Sequence, residues 1–109
     1  MRVQESNLNR FKAKIFKALS DPIRLEIIDF LRDGEKCVCE ITPHLNLIQP
    51  LVSRHLKILK DCGIVADRKD GSKRLYSITD QRIFEVLDSL TPDMIDSLSK
   101  RIIEQIVVA

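Results

Sequence analysis

Gln49-Pro50-Leu51-Val52-Ser53-Arg54-His55-Leu56-Lys57-Ile58-Leu59-Lys60-Asp61-Cys62-Gly63 is followed by residues 64–69, by Asp70-Gly71-Ser72 and by residues 74–78. Apolar residues at 51, 52, 56 and 59 recur at helical spacing, so residues 49–60 read as an amphipathic helix with one core-facing stripe. Pro50 fits a first turn, where its missing N–H costs nothing. Ile48 stands where a capping side chain is expected, so this helix starts poorly capped. Gly63 ends it. Residues 64–69 and 74–78 read as two short strands, and Asp70-Gly71-Ser72 between them is a hairpin signal.

Outward from this stretch the chain is helical. Leu8, Phe11, Ile15 and Leu19, with Phe16 beside them, form the stripe of a first helix whose other face carries Arg10, Lys12, Lys14 and Lys17. Ser20-Asp21-Pro22 stops it and caps a second helix through Ile23, Ile27, Ile28 and Leu31, ending near Gly34. Glu35 to Thr42 precedes Pro43, and proline inside a helix removes a hydrogen bond and clashes one turn back. A brief third helix is therefore expected to begin close to Pro43 and to end around Asn46, with Cys37 and Cys39 in its lead-in or first turn. Thr79-Asp80 can cap a fifth helix holding Ile83, Phe84, Leu87 and Leu90. Thr91-Pro92 breaks it, and Ile95, Leu98, Ile102 and Ile106 stripe a last one.

Two short helices followed by a two-stranded hairpin is the layout of a winged helix-turn-helix. The expected fold is thus mainly α with a small β-hairpin, in one domain spanning 1–109. Its parts are the first two helices (8–34), the thiol segment and helix-turn-helix (35–63), the wing (64–78) and two C-terminal helices (80–107). The stripes on the first and last helices exceed what so small a domain buries internally, and pairing with a second copy would cover them.

Composition agrees with one globular domain: 109 residues, 44% hydrophobic and 31% charged. No apolar run approaches a membrane span. The polar N-terminus lacks an apolar signal core, and three cysteines do not form a disulfide framework, so a cytoplasmic protein with free thiols is expected. The net charge of +2 conceals alternation, because residues 1–20 and 51–79 each carry +4 while 21–50 and 80–109 each carry −3. The second basic block coincides with the helix and hairpin quoted above, which points to a polyanion. Gln49, Ser53, Arg54 and Lys57 lie on or beside the helix face opposite the apolar stripe. Gln pairs with adenine and Arg with guanine, while Ser and Lys suit phosphates or base edges. In the hairpin Arg68, Lys69, Lys73 and Arg74 flank the turn and are placed to hold phosphates, with a salt-dependent affinity. With three glycines there is no phosphate loop, and no nucleophile-base arrangement or metal-water site suggests an enzyme.

Gln49-Pro50, Val52-Ser53-Arg54-His55-Leu56, Asp67-Arg68-Lys69-Asp70-Gly71 and Glu35-Lys36-Cys37-Val38-Cys39-Glu40-Ile41 together resemble the ArsR/SmtB family of metal-responsive repressors, over roughly residues 8–90. The last motif is similar to the thiol box of its arsenic- and cadmium-sensing branches. The resemblance implies a homodimer that binds a palindromic double-stranded operator without any cofactor. An inducer held by Cys37 and Cys39 then releases it, the inducer being As(III)/Sb(III) or another thiophilic ion such as Cd(II). The box of the arsenic sensors has a third cysteine where this chain has Thr42. The missing donor is left to Cys62, to the other subunit or to a small thiol. The paired cysteine of some cadmium and lead sensors is Ile58 here. The last two helices have no His or Cys, unlike those of zinc and nickel sensors.

The residues themselves leave further readings open. Positions 37 and 39 differ by about 200° on a regular helix, so both sulfurs face one ion only where the backbone bends. A disulfide between i and i+2 is geometrically awkward, so an oxidised form would need a partner thiol from the other subunit or from Cys62. The thiols also suit a redox-sensing repressor of the same fold. A protein-binding winged-helix module is the third reading, and it makes the basic residues dispensable. His55 is expected to pack or touch phosphate, His44 to lie at the surface and Cys62 to be a small packed residue.

Overall fold

The computed structural model describes residues 2–108. Helix α1 (Leu8–Leu19) follows a single 3-10 turn, and α2 (Pro22–Phe30) continues into a second at Leu31–Asp33. Asp21 caps α2 by accepting from the backbone N–H groups of Ile23 and Arg24 at 2.8 and 3.3 Å, the role expected of Ser20 or Asp21. Strand β1 (Lys36–Cys37), α3 (Val38–Leu45) and α4 (Gln49–Asp61) follow. Strands β2 (Val65–Asp70) and β3 (Lys73–Ile78), then α5 (Arg82–Asp88) and α6 (Pro92–Val108), complete the order.

The apolar stripe of α4 is Val52, Leu56 and Leu59, all buried, with His55 completing it and Leu51 only half-buried. It packs with Ile27, Ile28 and Leu31 near α2, with Ile41 of α3, and with Ile64, Val65, Ile78 and Phe84 around the sheet and α5. Ile48 precedes α4 without a side-chain cap, as its residue type dictates. Between α3 and α4 the chain turns at Asn46, whose left-handed conformation (φ 54°) suits asparagine among non-glycine residues. Its N–H donates to the Pro43 carbonyl and that of Leu47 to the Thr42 carbonyl, closing α3.

The wing is a hairpin with Asp70 opposite Lys73, leaving Gly71-Ser72 as a two-residue turn in which Gly71 adopts φ 62°. The hairpin is not the whole sheet. The strand order is β1-β3-β2, all antiparallel, with Lys36 opposite Tyr76 and Cys37 opposite Leu75. A two-residue strand leaves no periodicity to read, so β1 is absent from the sequence-based expectation.

The start of α3 also differs. The helix begins at Val38, and Pro43 lies inside it. The reason is local: Cys37 and Glu40 form a reciprocal cap that starts the helix early. The one hydrogen bond Pro43 removes falls in a helix that ends two residues later.

The face of α1 bearing Leu8, Phe11, Ile15 and Phe16 is exposed, and only Ala18 and Leu19 at its end are buried. On α6, Met94, Ile95, Leu98, Ile102, Ile103 and Ile106 are all exposed as well. Among the described residues no helix is long and apolar enough to cross a membrane.

Candidate nucleic-acid interface and thiol site

Gln49, Ser53, Arg54 and Lys57 are all exposed on α4, on the side away from Val52, Leu56 and Leu59. Lys57 pairs with Asp61 one turn on, at 3.0 Å. Arg54 forms no ion pair among the described residues, so its charge is the least committed on the helix. His55 faces inward, where Arg24 Nη1 approaches its Nδ1 at 3.1 Å. A guanidinium only donates, so Nδ1 is the acceptor. Arg24 also donates to the carbonyls of Ala18 and Lys17, tying the end of α1 to α2 and α4. His44 is exposed and stacks on Phe30 with ring centroids 3.8 Å apart.

The wing cations do not stand alone. Arg68 makes a two-pronged pair with Glu35, at 2.6 and 3.0 Å, which reaches from β2 to the residue before β1. Arg74 pairs with Asp67 at 2.8 Å, and Lys60 of α4 pairs with the same carboxylate at 2.9 Å. The Lys60 ammonium, then the Arg74 guanidinium, hold the Asp67 carboxyl below its ordinary range, and Arg68 does the same for Glu35. Lys73 has no ion-pair partner among the described residues. Glu35 and Asp67 are functional-site neighbours that charge counting missed, because a carboxylate inside a basic block reads only as a reduction of its charge.

Cys37 is the N-cap of α3, in extended conformation, and is buried at the edge of the sheet. Its sulfur accepts the N–H of Cys39 at 2.9 Å, while Glu40 Oε1 accepts the N–H of Cys37 at 3.1 Å. Cys39 lies in the first turn and is exposed. The chain bends between them, the Cα atoms are 5.0 Å apart, and the two sulfurs are joined as a disulfide. This is the backbone bend that the i, i+2 spacing requires before both sulfurs can face one point. Opposite directions hold within a regular helix or a straight strand, and Cys37 belongs to the strand while Cys39 belongs to the helix.

One cleft of about 740 Å³ is lined by Cys37, Cys39, Thr42, Gln49, Ser53, Lys73 and Arg74, among others. It brings the thiol pair, the N-terminal turn of α4 and the wing cations to one surface. Arg54, Lys57 and Arg68 are not among its lining residues. Cys62 lines a separate apolar cleft with Ile15, Phe16 and Ile64, and its thiol donates to the Lys14 carbonyl at 3.5 Å. Among the described residues no three His, Cys, Asp or Glu side chains cluster as a metal site.

Residues 21–67 match the family described as bacterial regulatory protein, arsR family. A "probable mercury resistance operon repressor" of Streptomyces lividans is 43% identical over 74 residues, 68% of this chain and 59% of that protein. An uncharacterised HTH-type transcriptional regulator of Methanocaldococcus jannaschii is 48% identical over 75 residues, 68% of this chain and 84% of that protein. An arsenical resistance operon repressor of Staphylococcus xylosus is 45% identical over 67 residues, 62% of this chain and 64% of that protein. The matched segment thus spans less than two thirds of the mercury and arsenical repressors. The solution structure of the homodimeric winged helix-turn-helix DNA-binding domain from Mycobacterium bovis superposes with a TM-score of 0.76 at 26% identity. That match covers 89% of this chain and 93% of that one.

Proposed function

Since the chain belongs to the ArsR family of bacterial regulatory proteins, we propose that it is a homodimeric transcriptional repressor whose operator affinity falls when Cys37 and Cys39 bind a thiophilic inducer of the As(III)/Sb(III) class. In this reading Gln49, Ser53, Arg54 and Lys57 read or position DNA. Arg68, Lys73 and Arg74 serve the wing. The exposed apolar faces of α1 and α6 join two copies. The arsenical repressor of Staphylococcus xylosus supports the inducer class.

The observation that carries the proposal is the shared cleft. A ligand on the thiol pair lies beside Gln49, Ser53 and Lys73, within reach of the surface offered to DNA. The coupling has a mechanical route as well. Cys37 caps α3, and it also sits opposite Leu75 in the wing sheet. Drawing its sulfur onto an inducer removes the acceptor for the Cys39 N–H. The start of α3 and the β1 edge of the wing then shift together. Such a coupling is reciprocal, so operator DNA weakens inducer binding by the same factor.

The test is fluorescence anisotropy of reduced protein on DNA from upstream of its own gene, titrated in turn with arsenite, cadmium, zinc and peroxide. Release by arsenite, abolished in Cys37→Ser and Cys39→Ser and kept in Cys62→Ser, is the expected result. Salt-dependent binding indifferent to all four overturns the thiol-sensor half, and absence of binding at any salt overturns the DNA half.

The disulfide between Cys37 and Cys39 favours a second reading, a redox switch at the same residues. In it a peroxide takes two electrons from the two thiols, the S–S bond forms, and the two thiol protons leave in two waters. Release by peroxide alone in the same titration selects this reading.

A further inference from the structure

We propose that Arg24 is a positioning residue for DNA binding, which sets the rotation of α4 against α1 through the buried ring of His55. The inference rests on the DNA-binding half of the function proposed above and deepens it.

Among the described residues His55 is the one polar or charged residue that is buried, at 8% exposed. It interrupts a stripe of Val52, Leu56 and Leu59, all fully buried. An imidazole among apolar side chains costs free energy unless it is hydrogen-bonded. Its Nδ1 has Arg24 Nη1 as donor, at 3.1 Å. The guanidinium is itself held. Its Nε donates to the Ala18 carbonyl and its Nη2 to the Lys17 carbonyl, at 3.4 Å. Both carbonyls belong to the last turn of α1, where intrahelical donors run out and the helix dipole favours a cation. Asp21 accepts the backbone N–H of Arg24 at 3.3 Å, which fixes the point from which the side chain extends. One guanidinium thereby joins α1, α2 and α4. The rigid fork of arginine reaches three acceptors at once, which the single ammonium of lysine does not.

Apolar contacts are non-directional, so a stripe of aliphatic side chains leaves the rotation of its helix loosely set. A hydrogen bond from a buried side chain has a direction and sets it. The consequence is felt at the surface. With side chains reaching about 5–6 Å from the helix axis, each 10° of rotation moves them by about 1 Å. A hydrogen bond to a base edge is lost within such a displacement. Ser53, Arg54 and Lys57 stand within two residues of His55 and are all exposed, so the setting of His55 fixes theirs. Helix α1 carries the exposed apolar face through which two copies are proposed to join. In that dimer the same guanidinium also relates each α4 to its counterpart.

The test is anisotropy on DNA from upstream of the chain's own gene, across a salt series, beside circular dichroism and sedimentation. His55→Leu removes the acceptor and Arg24→Met removes the donors. Each is expected to stay folded and dimeric and to bind DNA about tenfold more weakly, a difference of about 1.4 kcal/mol. The salt slope is expected to stay unchanged, because no phosphate contact is lost. The double variant is expected to bind no more weakly than either single one, since both remove the same link. His55→Gln, whose amide oxygen accepts in place of Nδ1, is expected to bind like the wild type. Should His55→Leu or Arg24→Met not fold, Arg24→Lys, which keeps the charge and loses the fork, takes its place against His55→Gln. Wild-type affinity in folded single variants, or additive losses in the double variant, overturns the inference and leaves the DNA-binding function standing. A salt slope reduced by about 0.9 in Arg24→Met overturns it too, since Arg24 is then a direct phosphate contact. A loss matched by unfolding or dissociation in every variant overturns it as well. Absence of binding by the wild type at any salt overturns the DNA-binding function and this inference together.

Discussion

Asp67 shows how much one side chain does in the wing. Its side chain is 9% exposed and accepts from Lys60 of α4 and Arg74 of β3, so it ties α4 to the hairpin. The partners are about half exposed, so solvent screens much of the attraction and the contribution to stability is modest. Its direction is clear. A carboxylate whose folded pKa lies below its ordinary value of 3.8 stabilises the fold above that value. The stabilisation is lost as pH falls from there through the lowered folded value. Asp67→Asn is therefore expected to have a lower Tm at neutral pH and a shallower fall in Tm on acidification. Thermal melts across the acid range check this, and an unchanged acid limb would reject the ion-pair role. Arg24 works similarly from the other side, holding the His55 ring and the carbonyls at the end of α1.

At the scale of elements, β1 changes the meaning of its neighbours. It is only Lys36–Cys37, yet it joins the thiol pair to β3 by backbone pairing, while Glu35 just before it holds Arg68 of β2. The thiol segment is thus attached to the wing at two points. Arg68 is also the wing cation most fully neutralised in the free protein, having two hydrogen bonds to one carboxylate. Glu35→Gln is expected to release that charge toward DNA phosphate. Operator affinity then rises at low salt, and the slope of log K against log salt steepens by about 0.9, one phosphate's worth. An unchanged slope in a salt titration of Glu35→Gln would mean that Arg68 stays off the backbone. The pair is exposed at both ends, so little change in Tm is expected.

The whole molecule is elongated, 58 × 39 × 23 Å, and its longest helix, α6, carries an uncovered apolar stripe. In a monomer that stripe and the exposed face of α1 cost solvation. In the proposed dimer they would become core, and the two copies of α4 would be related by the two-fold symmetry of a palindrome. Ile102→Glu is expected to shift the chain to monomer in sedimentation and to weaken operator binding by the loss of the second half-site. Circular dichroism and the buried core around Leu56 should be preserved. A monomeric wild type, or an Ile102→Glu variant that still dimerises, would overturn this arrangement.

Much of this was legible in the residues. Helical spacing of Val52, Leu56 and Leu59, the Asp70-Gly71 turn and the Asp21-Pro22 start are local signals. Local sterics and hydrogen bonding satisfy them wherever they occur, so the winged helix-turn-helix could be read directly. The exposed positions of Gln49, Ser53, Arg54 and Lys57 followed from the same periodicity. Pairing and proximity lay beyond it. That Lys36 and Cys37 pair with β3 and that Glu35 meets Arg68 depend on contacts between segments far apart in the chain. Neither residue of such a pair carries a mark of the other. The sequence alone determined the core-facing stripe of α4 and the exposed positions of its polar and charged residues. The tertiary structure alone decided that Cys37 and Cys39, the first turn of α4 and the wing share one cleft, because only packing of α3 against α4 and β3 brings those surfaces together.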